Sequence, residues 1–147
     1  MKPAPRVFWS GAVTNRRTAA TEQSRAHRTG CGLLLDVNIA YVSAINHGRD
    51  PRDLITALPP EAIGEIHLAG FAENHDGAGD RLLIDTHGAP VDGAVWALYR
   101  RTLAHLGPRP TLIERDQAIP PLGVLVAEAS QARSALEARP VTTAARP

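Results

Sequence analysis

One cysteine, Cys31, is all the thiol this 147-residue chain carries. That excludes an internal disulfide and any cysteine-rich zinc or iron–sulfur site built within one chain, and it suits a reducing compartment. Long apolar runs are also missing: none approaches the roughly 18 residues that a membrane span needs. Lys2 and Arg6 are followed by no apolar core of the signal-peptide kind. Charge of one sign is lacking too, since the formal net charge is +1, so electrostatics offers no reason to expect nucleic acid or a membrane surface as partner. A cytoplasmic globular protein is the expectation, and 44% hydrophobic content over this length is enough for one real core.

What is present is a recurrent pattern. Leu33 to Asn38 read LLLDVN, an apolar run that stops at an acid and an amide. GEIHLAG puts His67 at the end of a second run, LLIDTHG puts Asp85 and His87 after a third, and TLIERD puts Glu114 after a fourth. Ligands of parallel α/β folds gather where strands end at their carboxyl side, so four such endings in series read as one site. Asp36, His67, Asp85, His87 and Glu114 offer oxygen and imidazole donors without thiolate. That set suits catalytic iron(II), manganese or zinc better than a structural zinc. On an extended strand end, Asp85 and His87 would point the same way, and Asn38 stands in that relation to Asp36.

Taken singly, each of these residues has a plainer reading. A lone acid after a strand is commonly a helix N-cap or turn former, and a lone buried histidine is commonly a structural hydrogen-bonding group. N-capping does not explain two histidines alternating with three acids, which is why the set points to a metal. His47 fits a turn or a ligand equally. His75 reads as a loop residue, Trp96 and Tyr99 as core or subunit-interface aromatics, Arg100 and Arg101 as a solvated face, and Cys31 as packing.

In chain order, residues 1–30 show no sustained period and read as a poorly ordered leader, with a short polar helix over 21–28 and a docked extended segment around Phe8 and Trp9 as alternatives. Strands are predicted over 32–37, 64–68, 81–85 and 111–114, with polar loops through Asn46-His47-Gly48 and over 69–80. Asp50-Pro51 reads as an N-cap and first position for a helix over 52–58. Val95, Leu98, Tyr99, Thr102, Leu103 and Leu106 define the apolar stripe of a helix over 92–105 that Gly107-Pro108 ends. A last helix is predicted over 122–138, and 139–147 read as a frayed tail. The order β–α predicts a parallel sheet covered by helices on both faces. Four strands are half of a (β/α)8 barrel, which takes about 250 residues.

LLLDVNIAYVSAINHG, GEIHLAGF, LIDTHGAPV, VWALYRR and PTLIERD, taken together over about residues 29–138, resemble the multinuclear non-haem iron-dependent oxidative enzymes of the MbnB-like kind. The resemblance implies an α/β fold, a xylose-isomerase-like TIM barrel of which 31–138 would be the C-terminal half. It further implies two or three iron ions, dioxygen-dependent oxidation of cysteine or other residues in ribosomally made precursor peptides, and a small partner protein that presents the peptide. Asp36, His67, Asp85, His87 and Glu114 would then be iron ligands, with Asn38 and His47 as further candidates for the metal or for orienting its ligands. The chain departs from the pattern at Ile39, where a second Asn is usual, and at Arg115, where an aromatic is common. Residues 1–30 show nothing like the family's N-terminal strands, so the expectation is a truncated or frameshifted half whose open edges favour association. Two other readings stay open: a divalent-metal isomerase or hydrolase on the same architecture, and a non-catalytic half-barrel that pairs with a partner.

Overall fold

The computed structural model describes residues 7–8, 24 and 28–138. The predicted tail and most of the predicted leader, including its 21–28 helix apart from Ser24 and Arg28, lie outside these residues. Four strands form one parallel sheet in the order β1 (Val7–Phe8), β2 (Gly32–Asp36), β3 (Ile63–Leu68) and β6 (Thr111–Ile113). Val7 and Phe8 pair with Gly32 and Leu33, so at Phe8 the docked extended segment holds in place of a poorly ordered leader, while Trp9 lies outside the described residues. The sheet is open among the described residues and does not close into a barrel.

Between β2 and β3 the chain forms α1 (Val37–Asn46) and α2 (Pro51–Ala57), then a single 3-10 turn at Pro60–Ala62. Helix α1 stands where a polar loop was expected. Its β-branched residues and asparagines are weak helix formers, which is why local propensity misses it. Tertiary burial overrides that preference, since Val37, Asn38, Ala40, Val42 and Ala44 are all buried. Asp50 caps α2 by accepting the Arg52 N–H, with Pro51 at the first helical position as the sequence predicts.

The second correction concerns residues 69–85. The expected polar loop contains a strand, β4 (Ala72–His75), which pairs antiparallel with β5 (Arg81–Ile84). The third predicted strand therefore belongs to a hairpin and not to the parallel sheet. The Asp76 carboxylate closes the turn by accepting the N–H groups of Ala78 and Asp80, and Gly79 takes a φ of 87° that side chains seldom adopt.

Helix α3 (Gly93–Leu106) begins at the Asp92 cap and ends at Gly107, whose N–H bonds the Leu103 carbonyl at 2.8 Å. Its predicted stripe is buried against the sheet, with Trp96 and Tyr99 edge to face in the core. The Tyr99 hydroxyl meets Thr111 Oγ1 at 2.9 Å, and Arg109 donates to the carbonyls of Ile63 and Pro60, which ties the start of β6 to β3. Helix α4 (Leu122–Glu137) completes the described chain.

The two faces of the sheet differ, which is a third correction. Leu33, Leu35, Ile66 and Leu68 are buried on the helix side. The alternate residues fall on the other face by the two-residue strand period: Leu34 and Asp36, then Glu65 and His67, then Leu112 and, just past β6, Glu114. Leu112 is 45% exposed. The chain covers one face with helices and leaves a second face that bears the acids and a histidine.

A candidate metal centre on the open face of the sheet

Pairing brings the strand ends into line. Asp36 lies beside His67 across β2 and β3, and the Glu114 N–H continues the β3–β6 ladder by bonding the Leu68 carbonyl at 2.8 Å. His67 Nδ1 is then 3.2 Å from Glu114 Oε2, while its Nε2 is 3.3 Å from Glu65 Oε1.

The hairpin delivers the remaining residues. His87 N–H bonds the Gly70 carbonyl at 3.0 Å, which anchors the Asp85-Thr86-His87 segment to the end of β3. Gly70 is required there: a Cβ at that position would lie 2.1 Å from the Ala89 carbonyl oxygen. His87 has a φ of 51°, a left-handed conformation that costs a non-glycine residue about 1–3 kcal/mol. Asp85 and His87 are therefore not two residues of one extended strand. The turn brings their side chains together, with His87 Nε2 2.9 Å from Asp85 Oδ1. His87 Nδ1 lies 3.2 Å from Asp116 Oδ2 and 3.6 Å from Glu114 Oε2.

Asp36 serves two roles at once. Its Oδ1 caps α1 by accepting the Ile39 N–H at 2.8 Å, as the plainer reading holds, and the same side chain joins His87 and Glu114 in a cluster. Ligand atoms of these three residues all lie within 4.8 Å of one another, a spacing that one metal ion can span. Burial pushes the Asp36 carboxyl up to about 6, the Ile39 N–H opposes that rise, and the Asp85 charge adds to it. Burial also pulls His87 down, yet the carboxylates of Asp85, Glu114, Asp36 and Asp116 outweigh it and leave this imidazole more basic than usual.

Two buried polar atoms test whether the cluster suits a cation. His87 Nε2 has no hydrogen-bond partner of acceptable geometry, and neither has Asn38 Oδ1. Asn38 is fully buried and its Nδ2 donates to Asp85 Oδ1 at 2.6 Å. A ring nitrogen that lies 2.9 Å from the Asp85 carboxylate without a hydrogen bond to it, and an amide oxygen with no partner, are what a hard or borderline divalent cation satisfies. The donor set fits.

The structure brings together Asp36, His67, Asp85, His87, Glu114 and Asn38, and it leaves one candidate out. His47 caps the far end of α1, where its Nδ1 bonds the Ser43 carbonyl at 2.7 Å. A helix of ten residues carries it about 15 Å from Asp36. Asn38, too, stands on the first turn of α1 and not on a strand with Asp36. Glu65 and Asp116 are site residues that the strand-end rule passes over. Each lies two residues from a candidate (Glu65 from His67, Asp116 from Glu114), so the strand period could have found Glu65.

Next to the cluster, a buried ion pair holds the surrounding loops. Arg115 Nη2 meets Glu128 Oε2 of α4 at 3.0 Å, their side chains being 6% and 11% exposed, and Glu128 Oε1 accepts the Val91 N–H at 2.8 Å. The segment just past β6, α4 and the loop after His87 are thereby joined.

A carboxylate and imidazole cluster at the carboxyl ends of parallel strands, closed by a hairpin, defines this chain as an α/β protein with a candidate metal site of the strand-end type. Comparison with known families is specific. The model of the MbnB/TglH/ChrH enzymes, described as RiPP precursor modification enzymes, matches residues 21–137, and the chain belongs to that family. Among curated relatives, a UPF0276 protein of Bordetella parapertussis is 59% identical over 109 residues, covering 74% of this chain and 38% of that protein. A UPF0276 protein of Caulobacter vibrioides is 57% identical over 114 residues, covering 78% and 40%, and one of Rhizobium meliloti is 50% identical over 110 residues, covering 75% and 36%. The chain thus spans about two fifths of the length of the curated relatives it matches. No helix among the described residues is long and apolar enough to cross a membrane.

Proposed function

We propose that this chain carries the metal-binding face of an iron-dependent oxidase or oxygenase that modifies a ribosomally made precursor peptide, with cysteine as the favoured target. Asp36, His87 and Glu114 hold one ion. His67 and Asp85 extend the ligand set, with Asn38 fixing Asp85 and Glu65 and Asp116 orienting the two imidazoles. The sheet is read as part of a xylose-isomerase-like barrel, its acid-bearing face turned toward the barrel interior. A small partner protein presents the peptide.

The observation that supports this reading most directly is the convergence of Asp36, His87 and Glu114, with ligand atoms within 4.8 Å of one another, in a chain of this family. When bound, iron supplies the redox chemistry that oxidises the peptide with dioxygen. The protein's own groups supply the rest. Carboxylates compensate the charge of the ion, and the His67 and His87 rings are oriented through the nitrogen that faces an acid. The Glu65 and Asp116 carboxylates stand at the margin of the cluster, 32% and 61% exposed.

Protein purified without oxygen tests the reading through its iron content per chain. Tightly held iron on a discrete folded species, lost in both His67→Ala and Asp85→Ala, is expected. Unchanged iron content in both variants would overturn the assignment. Dioxygen consumption separates it from an isomerase or a hydrolase on the same architecture, since neither reaction uses dioxygen.

A further inference from the structure

The hairpin of β4 and β5 leads directly into Asp85 and His87, and its two edges are not equivalent. The Leu83 N–H donates to Asn46 Oδ1 and the Leu83 carbonyl accepts from Asn46 Nδ2, each at 2.8 Å. Those backbone groups point away from β4, so Leu83 and Glu73 are opposed without exchanging ladder bonds. The Asp76 N–H to Asp80 carbonyl bond, 2.9 Å, sets the same phase at the turn. It follows that the Glu73 N–H and carbonyl point outward, along the free edge of β4.

Asn46 closes the β5 edge, and nothing among the described residues closes the β4 edge at Glu73. All four residues of β4 are exposed. The next outward N–H along the strand, that of His75, is taken by the Asn74 side chain at 2.8 Å, which confines the open part of the edge to its site-proximal end. There Ala72 lies opposite Ile84, a residue 38% exposed, and the two make a small apolar platform beside the edge.

We infer that the free edge of β4 docks an extended segment of the peptide substrate by strand addition at Glu73, with an apolar side chain over Ala72 and Ile84. This rests on the peptide-modifying function proposed above. Strand addition uses main-chain hydrogen bonds and so tolerates varied sequences. At about 3.3 Å per residue, the segment carries the peptide past Ala72 to the Asp85–His87 turn within roughly three residues. A second copy of this chain, pairing its β4 edge antiparallel about Glu73, is the competing occupant that the test separates, since the Glu73 carboxylate accepts from Arg81 Nη2 at 2.6 Å and does not by itself repel a like edge.

The test is a titration of the full chain, in chelator, with a short blocked peptide of alternating threonine and valine flanked by lysines. Amide exchange at Glu73 of the isotope-labelled parent chain should slow on peptide addition. Glu73→Pro removes the outward N–H while sparing the internal ladder, and Glu73→Ala removes the carboxylate while keeping that N–H. Glu73→Pro should bind the peptide at least about tenfold more weakly than Glu73→Ala, with both variants matching the parent in iron content. Equal binding by the two variants, or a Glu73 amide indifferent to peptide, overturns the site. So does protection of Glu73 that grows with protein concentration in the absence of peptide, which assigns the edge to a second copy. Because chelator is present, docking is read apart from iron: a chain that docks the peptide but never holds iron upholds this edge and sinks the metal reading.

Discussion

Asn38 donates to Asp85 at 2.6 Å across 47 residues of sequence, joining the first turn of α1 to the turn that follows the hairpin. A fully buried amide thus sets the position of a carboxylate that it is not adjacent to in any local element. Partners of this kind around metal ligands commonly account for 10- to 100-fold in metal affinity. Asn38→Ala should weaken metal binding by about that factor while α1, capped by Asp36, still forms. A metal titration by calorimetry checks it, and an affinity equal to the parent's would show that Asp85 needs no anchor.

Asp36 makes the metal-free chain sensitive to pH. Its folded carboxyl is raised from 3.8 to about 6 by burial, so within that window the folded chain holds a proton that the unfolded chain has released. Stability from this group is therefore present at low pH and is lost as pH rises toward and through about 6. Asn retains a capping oxygen and carries no charge to desolvate. In chelator, Asp36→Asn should be more stable than the parent near neutral pH, by at most about 3 kcal/mol, and the difference should shrink toward pH 4. Denaturant melts of both proteins at the two pH values measure it; an advantage independent of pH would mean that burial of the charge is not the cause.

The Arg115–Glu128 pair makes a sharper mutational contrast. Glu128→Ala leaves a guanidinium buried without its partner and the Val91 N–H unsatisfied, which should cost about 3–5 kcal/mol. Replacing both partners with apolar residues, Arg115→Met with Glu128→Leu, removes the stranded charge and should recover much of that loss. Unfolding free energies of the single and double variants decide the matter. A double variant as unstable as Glu128→Ala would place the loss in the Val91 bond and not in the charge.

Much of this organisation is legible along the chain. Strands β2, β3 and β6 announce themselves as short apolar runs, and α3 by its stripe from Val95 to Leu106, because each element buries residues at its own period. The strand-end acids and His67 could be read together because parallel strands place their carboxyl ends side by side. Helix α1 and the hairpin were not legible in this way. In VNIAYVSAIN the strong helix formers Ala40 and Ala44 are outnumbered by β-branched residues, asparagines and a serine, and burial on several sides erases the one-faced pattern that marks a surface helix. Strand β4 is exposed on both faces, so it has no apolar alternation to show.

By itself the sequence determined the donor chemistry, oxygen and imidazole without thiolate, and the strand ends on which most of it sits. Tertiary structure decided which donors meet. His47 is carried away because Val37–Asn46 coil into a helix, whereas Asp116 is brought in by its N–H bond to the His87 carbonyl, Glu65 by the strand period of β3 and Asn38 by the buried first turn of α1. It also decided that Asp85 and His87 face each other through a left-handed backbone, and that the hairpin's open edge is at Glu73. Each of these depends on contacts between residues far apart in the chain, and no local period records such contacts.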